Sequence, residues 1–244
     1  MDGIRRYLIR RSEGMKRRII VEGPSERAYM QRLMSFLESD MPLDVDGYSS
    51  RLVFYPTVTN NRIGGGSYNL VYRTYREVSP RNLRTPLMIW VDRDIYVRNS
   101  NRSERASAAG YANKGTLPDF YFSVMNFEDF LALHFESELF NRWKASLNQN
   151  QHFAVPLHGD DYDALWRPIW KDFLDVHSEV GQGAYKKGSL PEGFVSLASL
   201  RNLCENVRDP MMAGIFAKHS SSSAPAFPVW LADTLRQIYP EEFS

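Results

Sequence analysis

Two short apolar segments, each followed by acidic side chains, constrain the fold of this chain more than any other feature. The first, Ile19 to Val21, is followed by Glu22. The second, Leu87 to Val91, is followed by Asp92 and Asp94. Such apolar runs are typical of strands buried in a parallel sheet, and ligands of α/β proteins bind at the carboxyl edge of these strands. We therefore expect the three carboxylates to meet at one edge of a sheet.

Strand-like and helix-like segments alternate before residue 140. Strands are indicated by β-branched and aromatic runs, and helices by apolar residues at three- and four-residue spacing. The predicted elements are a strand at 18–21, a helix from Pro24, a strand at 51–58, a helix from Ser67 to about Val78, strands at 87–91 and 119–125, and a helix opened by Asn126. This order predicts an α/β fold with a mainly parallel sheet flanked by helices.

The character of the sequence changes after Asn141, where helical patterns replace strand patterns. Helices are predicted at 161–176, 197–207 and 229–238. In the first of them, the aromatic residues from Tyr162 to Phe173 share one face and are expected to pack in a core. The chain is therefore divided into a basic N-terminal arm at 1–17, an α/β domain at 18–140 and an α-helical C-terminal region at 141–244 packed on it.

Charge is balanced over the whole chain but not along it. The chain has 30 basic and 29 acidic residues, so its formal net charge of +1 does not indicate a nucleic-acid-binding protein. Basic residues cluster in the arm at 1–17 and in the long polar connection at 96–117. Arg98, Arg102 and Arg105 in that connection are candidates for contact with a nucleic-acid backbone, and a solvated loop is the alternative interpretation.

Signals for membrane insertion, secretion and disulfide bonds are lacking. No apolar run approaches the roughly 20 residues that a membrane-spanning helix needs, so we expect no membrane segment. The N-terminus lacks the apolar segment of a secretory signal. The single cysteine, Cys204, excludes an intrachain disulfide. We therefore expect a cytoplasmic location.

The acidic residues after the two apolar runs suit a metal site. Asp92 and Asp94 are two residues apart, so their side chains would face the same side of an extended segment. Carboxylate oxygens are suitable ligands for hard divalent cations such as Mg²⁺ and Mn²⁺, which promote displacement at phosphodiesters. Glu22 would be a third ligand. Taken singly, each of these acids would also suit an ordinary solvated turn.

Further charged residues are candidates for supporting roles. Glu26 lies one helical turn beyond Glu22, and Glu128 lies at the start of the next predicted helix, so each is a candidate ligand for a second metal ion. The alternative interpretation is that both acids simply favour the positive end of a helix dipole. Lys186 or Lys187 would stabilise negative charge on a reacting phosphate, and the sequence does not choose between them.

The histidines do not indicate a zinc site, because their spacing fits no common ligand pattern. His134 lies on the apolar face of the helix opened by Asn126. We therefore expect it to be a hydrogen-bonded core residue.

Two of these segments resemble the motifs of Toprim domains, which occur in topoisomerases, bacterial primases and overcoming-lysogenization-defect nucleases. The first, similar to their strand-Glu-Gly-x-x-(Asp/Glu) element, is Ile19-Ile20-Val21-Glu22-Gly23-Pro24-Ser25-Glu26. The second, similar to their Asp-x-Asp motif, is Trp90-Val91-Asp92-Arg93-Asp94. The resemblance implies a Toprim-like fold in which Glu22 is a metal ligand or a general acid or base. We do not expect a topoisomerase, which needs tyrosine-bearing domains, or a primase, which needs a zinc-binding module.

A more specific resemblance is to the small RloB-like Toprim proteins, which are found beside phage-defence genes. Their Glu-Gly-x-x-Glu-x-x-Tyr element is similar to the segment from Glu22 to Tyr29. Their Ser-x-x-x-Phe-Glu-x-x-Leu-x-x-His-Phe segment is similar to that from Ser123 to Phe135, and a downstream Tyr-Lys pair is similar to Tyr185-Lys186-Lys187. This resemblance covers about residues 18 to 187.

The resemblance implies a Mg²⁺- or Mn²⁺-dependent nuclease that hydrolyses phosphodiester bonds of DNA or RNA in defence against phage. It implies catalytic roles for Glu22, Asp92, Asp94 and Lys187, metal binding by Glu22, Asp92, Asp94 and Glu26, and support from Glu128 and Lys186. A large ATPase accompanies many Toprim nucleases, so a partner subunit of a defence system is a further expectation. An oligomer is compatible with this interpretation.

Two other classes of function remain open. The pair Asp92 and Asp94 would also suit a glycosyltransferase, in which the metal binds a nucleotide diphosphate, but Glu22 then has no role. Alternatively, the chain would be a catalytically inactive nucleic-acid-binding or partner subunit. Replacement of Glu22 by Gln would silence a nuclease and leave a transferase active.

Overall fold

The structure of the chain is a computed structural model. It describes residues 16–39, 53–58, 71, 74, 87–93, 120–149, 160–180, 185–186, 188–219 and 226–244. Most of the predicted basic arm, most of the helix predicted at 67–78 and the connection at 96–117 lie outside the described residues.

Four strands form one sheet in which every neighbouring pair is parallel. Within the described ranges they are β1 (Lys16–Val21), β2 (Val53–Val58), β3 (Leu87–Val91) and β4 (Phe120–Phe122), in the order β2-β1-β3-β4. Val21 is paired with Val58 on one side and with Trp90 on the other, so β1 and β3 end at nearly the same level. The predicted α/β class and the parallel sheet are confirmed.

The C-terminal half of β1 and the whole of β3 are apolar, and the burial of successive residues shows that both faces of the sheet are covered there. Ile19 to Val21 in β1 and Met88 to Val91 in β3 have no exposed surface. β1 begins at Lys16, inside the predicted arm, and β4 is shorter than the strand predicted at 119–125. β4 ends early because the chain turns toward Asn126, which caps the following helix.

The described residues form eight α-helices. They are α1 (Pro24–Ser39), α2 (Phe127–Ala132), α3 (Ser137–Gln149), α4 (Asp160–Val176), α5 (Leu197–Asn206), α6 (Pro210–His219), α7 (Phe227–Ile238) and α8 (Pro240–Phe243). The helices predicted from Pro24, after Asn126 and at 161–176, 197–207 and 229–238 are confirmed to within two residues at each stated boundary. The sequence pattern does not predict α3, α6 and α8. None of the helices in the described ranges is both long enough and apolar enough to cross a membrane.

Reciprocal hydrogen bonds fix the starts of two helices. At α2, Asn126 Oδ1 accepts from the Asp129 N–H at 3.1 Å, and Asp129 Oδ2 accepts from the Asn126 N–H at 3.2 Å. Ser196 and Ser199 form the same arrangement at α5. Such caps satisfy N–H groups that have no partner within the helix. At α2, the cap also determines where the acidic residues of the first turn lie.

One hydrophobic core joins the sheet to the C-terminal helices. The indole of Trp90 in β3 stacks on the ring of Phe227 in α7, with ring centroids 3.9 Å apart. The aromatic face predicted from Tyr162 to Phe173 is buried in the same core. Within the described residues, the predicted regions at 18–140 and 141–244 therefore share a single core.

Candidate active site

Glu22 and Asp92 lie side by side at the carboxyl edge of the sheet. Each is the first residue after a strand, and the two strands, β1 and β3, are neighbours. The backbone N–H of Asp92 donates to Glu22 Oε2 at 3.1 Å. Both residues are half-buried. The structure therefore brings these two predicted site residues together at the rim of the sheet.

The strand order makes this edge a binding position. Along the sheet, the chain moves from β1 to β2 in one direction and from β3 to β4 in the opposite direction. In open α/β sheets, ligands bind outside the carboxyl ends of the strands where the strand order reverses in this way. Glu22 and Asp92 therefore lie where the architecture alone would place a ligand.

Several predicted site residues lie outside the described part of the chain. They are Asp94, Arg98, Arg102, Arg105 and Lys187. Among the residues that are described, no three or more His, Cys, Asp or Glu side chains form a group that could hold a metal ion. The metal site that includes Asp94 therefore stays a prediction.

Glu26 is buried against the turn that follows β1. It lies in the first turn of α1 and is 5% exposed. A Cβ atom on Gly23 would lie 3.0 Å from Glu26 Oε2, which is closer than such atoms normally approach. Glycine at position 23 therefore lets the Glu26 carboxylate lie against the backbone next to Glu22.

A second buried acid, Glu128, comes from the first turn of α2. It is 7% exposed and accepts a hydrogen bond from the hydroxyl of Tyr185. Burial raises the pKa of Tyr185 well above its usual value, and the charges of Glu128 and Glu26 raise it further. Tyr185 is therefore a neutral hydrogen-bond donor under the influence of both carboxylates.

The segment that carries Tyr185 is attached to the first turn of α1. The Gly188 N–H donates to Ser25 Oγ at 2.8 Å. The Ser189 N–H donates to the Lys186 carbonyl at 3.0 Å, which closes a turn, and the Lys186 side chain is exposed. A segment from the C-terminal region thus reaches the same end of the sheet as Glu26.

Sequence reasoning assigned no role to Tyr185. Its partner Glu128 is 57 residues away, so no local spacing connects them. The one available signal was the resemblance of Tyr185-Lys186-Lys187 to a family motif, which drew attention to the lysines instead.

We call the group formed by Glu22, Asp92, Glu26, Glu128 and Tyr185 the acidic edge. Asp92 contacts Glu22, the Glu22–Gly23 turn lies against Glu26, and Tyr185 donates to Glu128. The charge of Glu26 acts on Tyr185, which raises the pKa of the phenol and links the two sets of residues. Every potential ligand atom in it is an oxygen, and most are carboxylate oxygens. Hard divalent cations such as Mg²⁺ and Mn²⁺ prefer oxygen donors, and soft metals do not. No three of the described acids by themselves form a group that could hold one ion.

Asp129, the neighbour of Glu128, belongs to the helix cap and not to the acidic edge. It is fully buried, and its Oδ1 accepts from the Tyr162 hydroxyl at 3.1 Å. Its Oδ2 accepts from the Asn126 N–H. Burial and the charge of Asp129 raise the pKa of Tyr162. Both carboxylate oxygens of Asp129 thus serve the structure.

His134 is a core residue, as predicted from its apolar surroundings. Its Nε2 lies 2.8 Å from the Tyr29 hydroxyl, and its Nδ1 lies 3.2 Å from the Phe130 carbonyl. A carbonyl only accepts, so Nδ1 carries the proton and the Tyr29 hydroxyl donates to Nε2. Burial lowers the pKa of His134 to about 4. The ring is therefore uncharged at neutral pH.

The chain was compared with family models, with curated proteins and with solved structures. None of the three comparisons gives a significant match.

Proposed function

We propose that this chain is a metal-dependent nuclease of the RloB-like Toprim type that hydrolyses phosphodiester bonds of DNA or RNA. The observation that carries the proposal is the hydrogen bond from the Asp92 N–H to Glu22 Oε2 at the ends of β1 and β3. This bond joins the two segments that resemble the Toprim motifs. The strand pairing brings the two turns together, and the bond shows that an acid of one turn reaches the acidic residue of the other.

A Toprim-like fold is supported by where the motifs lie in the sheet. The two motif segments follow β1 and β3, the strands on either side of the reversal in strand order. The third similar segment, Ser123 to Phe135, contains α2 and contributes Glu128 to the acidic edge. The three segments that carry the resemblance thus converge at one end of the sheet.

The acidic residues have distinct roles in the proposed reaction. A Mg²⁺ or Mn²⁺ ion would supply charge stabilisation at the attacking and leaving oxygens of the phosphodiester. Asp92 and Asp94 would hold this ion. Glu22 would be a further ligand or the general acid or base that serves the sugar oxygen, a role worth about 10²–10⁴-fold in rate. Glu26 and Glu128 would support a second ion.

The proposal includes the predicted basic residues and biological setting. Lys187 or Lys186 would stabilise charge on the reacting phosphate, and Arg98, Arg102 and Arg105 would contact the nucleic-acid strand. A role in phage defence, an ATPase or other defence-system partner and a cytoplasmic location come from the family resemblance and belong to the same proposal.

The proposal is tested by incubating the purified chain with plasmid, linear DNA, single-stranded DNA and RNA, each with Mg²⁺, Mn²⁺ or a chelator. We expect cleavage only with a metal, and a loss of at least about 10²-fold in Asp92→Asn and Glu22→Gln. Glutamine at position 22 keeps an oxygen that can accept the Asp92 N–H, so the fold should persist. Glu192→Gln, at an exposed turn, is the matched control and should cleave like the wild type.

Other outcomes would favour other functions. Equal cleavage by the wild type and Asp92→Asn would mean a contaminating nuclease and would refute the proposal. Nucleic-acid binding without metal, and without cleavage under any condition, would favour the inactive binding subunit. Transfer of a sugar from a nucleotide diphosphate that survives Glu22→Gln would favour the glycosyltransferase.

A further inference from the structure

We propose that Tyr185 is a positioning residue of the acidic edge, whose phenol holds the Glu128 carboxylate in the orientation needed to bind a divalent cation. This inference rests on the proposed function and extends it to a residue that does not itself bind metal or substrate. It also gives the C-terminal region a direct part in the site.

The ring of Tyr185 is fixed from behind by α4. It packs edge-on against Trp166 and Trp170, with centroid distances of 5.8 and 5.7 Å and interplanar angles of 84° and 75°. Both indoles are almost completely buried. The ring therefore has little freedom to turn, and its hydroxyl is directed at Glu128.

The backbone next to Tyr185 is fixed from the front by α1. The Gly188 N–H donates to Ser25 Oγ, and the φ angle of Gly188 is +83°. A Cβ atom at this glycine would lie 3.3 Å from Pro24 Cβ. The backbone at Gly188 therefore fits closely against the helix that contributes Glu26. This contact restricts movement of the phenol away from Glu128.

A neutral donor suits this position for an electrostatic reason. A buried carboxylate needs hydrogen bonds to compensate for its lost hydration, and a bond to an ionised group is stronger than one between neutral groups. Lys or Arg would provide such a bond but would also cancel the negative charge. The Tyr185 phenol orients Glu128 and leaves its charge available to attract a cation.

Tyr162 in α4 provides a matched comparison, because its partner also lies in the first turn of α2. It also donates to a buried carboxylate, that of Asp129, the residue next to Glu128. The other oxygen of Asp129 caps α2. Loss of the Tyr162 hydroxyl should therefore reduce stability without changing metal affinity.

The test compares full-length Tyr185→Phe and Tyr162→Phe with the wild type. Phenylalanine keeps the ring packing and removes only the hydroxyl. Mn²⁺ binding is measured by calorimetry, and the cleavage rate is measured against Mg²⁺ concentration. Partners that orient metal ligands typically contribute 10- to 100-fold in metal affinity or activity. We expect Tyr185→Phe to raise the metal concentration at half-maximal rate about 10- to 100-fold with its circular dichroism unchanged, and Tyr162→Phe to leave that concentration unchanged.

A double-mutant cycle with Glu128→Gln separates positioning from general loss of structure. If Tyr185 acts through Glu128, the double variant should be no worse than Glu128→Gln alone. Wild-type metal dependence in Tyr185→Phe would overturn the inference and leave the nuclease proposal intact. A wild-type chain that neither binds Mn²⁺ nor cleaves nucleic acid would overturn both.

Discussion

At the scale of single residues, the buried pair of Tyr29 and His134 makes the stability of the protein depend on pH. Burial lowers the pKa of His134 to about 4, whereas a histidine in an unfolded chain titrates near 6.5. The unfolded chain therefore binds a proton at pH values where the folded protein does not. The contribution of His134 to the free energy of unfolding is complete above about pH 6.5 and is lost as the pH falls toward 4.

This linkage predicts a measurable loss of stability in mild acid. Between pH 7.5 and pH 5, we expect the contribution of His134 to fall by about 2 kcal/mol. His134→Gln keeps an acceptor for the Tyr29 hydroxyl but does not titrate, so its stability should fall less over the same range. Denaturant unfolding at several pH values checks this, and identical pH profiles for the two proteins would contradict it.

Some residues of the site were predictable from the sequence and others were not. Glu22 and Asp92 were predictable because an acid directly after a buried strand must lie at the sheet edge, and neighbouring parallel strands end together. The role of Tyr185 was not, because its contact with Glu128 depends on how α4 packs behind it. A local pattern carries no information about such a contact.

At the scale of the elements, the segment from Tyr185 to Ser189 depends on the conformation of Gly188. Its φ angle of +83° is unfavourable for any residue with a side chain. We expect Gly188→Ala to destabilise the protein by about 1–2 kcal/mol and to shift the metal dependence of cleavage in the same direction as Tyr185→Phe. Unfolding and cleavage assays on the same samples measure both effects.

Gly214→Ala is the control for this substitution. Gly214 lies in α6, and nothing lies within 4 Å of the Cβ it would gain. Alanine there should stabilise the protein by up to about 1 kcal/mol and leave cleavage unchanged. If the two alanine variants behaved alike, the attachment of this segment to α1 would not matter for the site.

The predictability of the helices depended on how regular their apolar spacing is. α1, α4 and α7 have clear apolar faces; the predicted start of α1 and both predicted ends of α4 and α7 lie within two residues of the observed ones. α6 was not predicted because its own apolar residues lie on several sides of the helix and form no single apolar face. A usable signal was present, since Asp209 precedes Pro210 and its Oδ1 accepts from the Met211 N–H at 3.0 Å, as a helix cap does.

At the scale of the whole molecule, the sheet and the C-terminal helices depend on each other. Phe227 is fully buried and stacks on Trp90. We expect Phe227→Ala to lower the free energy of unfolding by about 3–5 kcal/mol. The variant should still unfold in a single transition. Val229→Ala, at a half-buried position of the same helix, should lower the free energy of unfolding much less. Two separate unfolding transitions in the wild type would contradict the single core.

The contacts that form the shared core were the part of the architecture least predictable from the sequence. The change of pattern after Asn141 predicted a helical C-terminal region packed on the α/β domain, but not the residues through which the two share a core. Trp90 and Phe227, however, are each an ordinary apolar residue in its own segment. Their stacking follows only from the way the helices cover the sheet.

The late position of Tyr185 and Phe227 in the chain has a consequence for synthesis in the cell. Residues leave the ribosome in order, so Glu22 and Asp92 emerge well before Tyr185, which donates to Glu128, and Phe227, which stacks on Trp90. A growing polypeptide would thus contain the segments after β1 and β3 before the acidic edge is complete. On the proposed nuclease function, cleavage activity should therefore appear only after Tyr185 and Phe227 have been added.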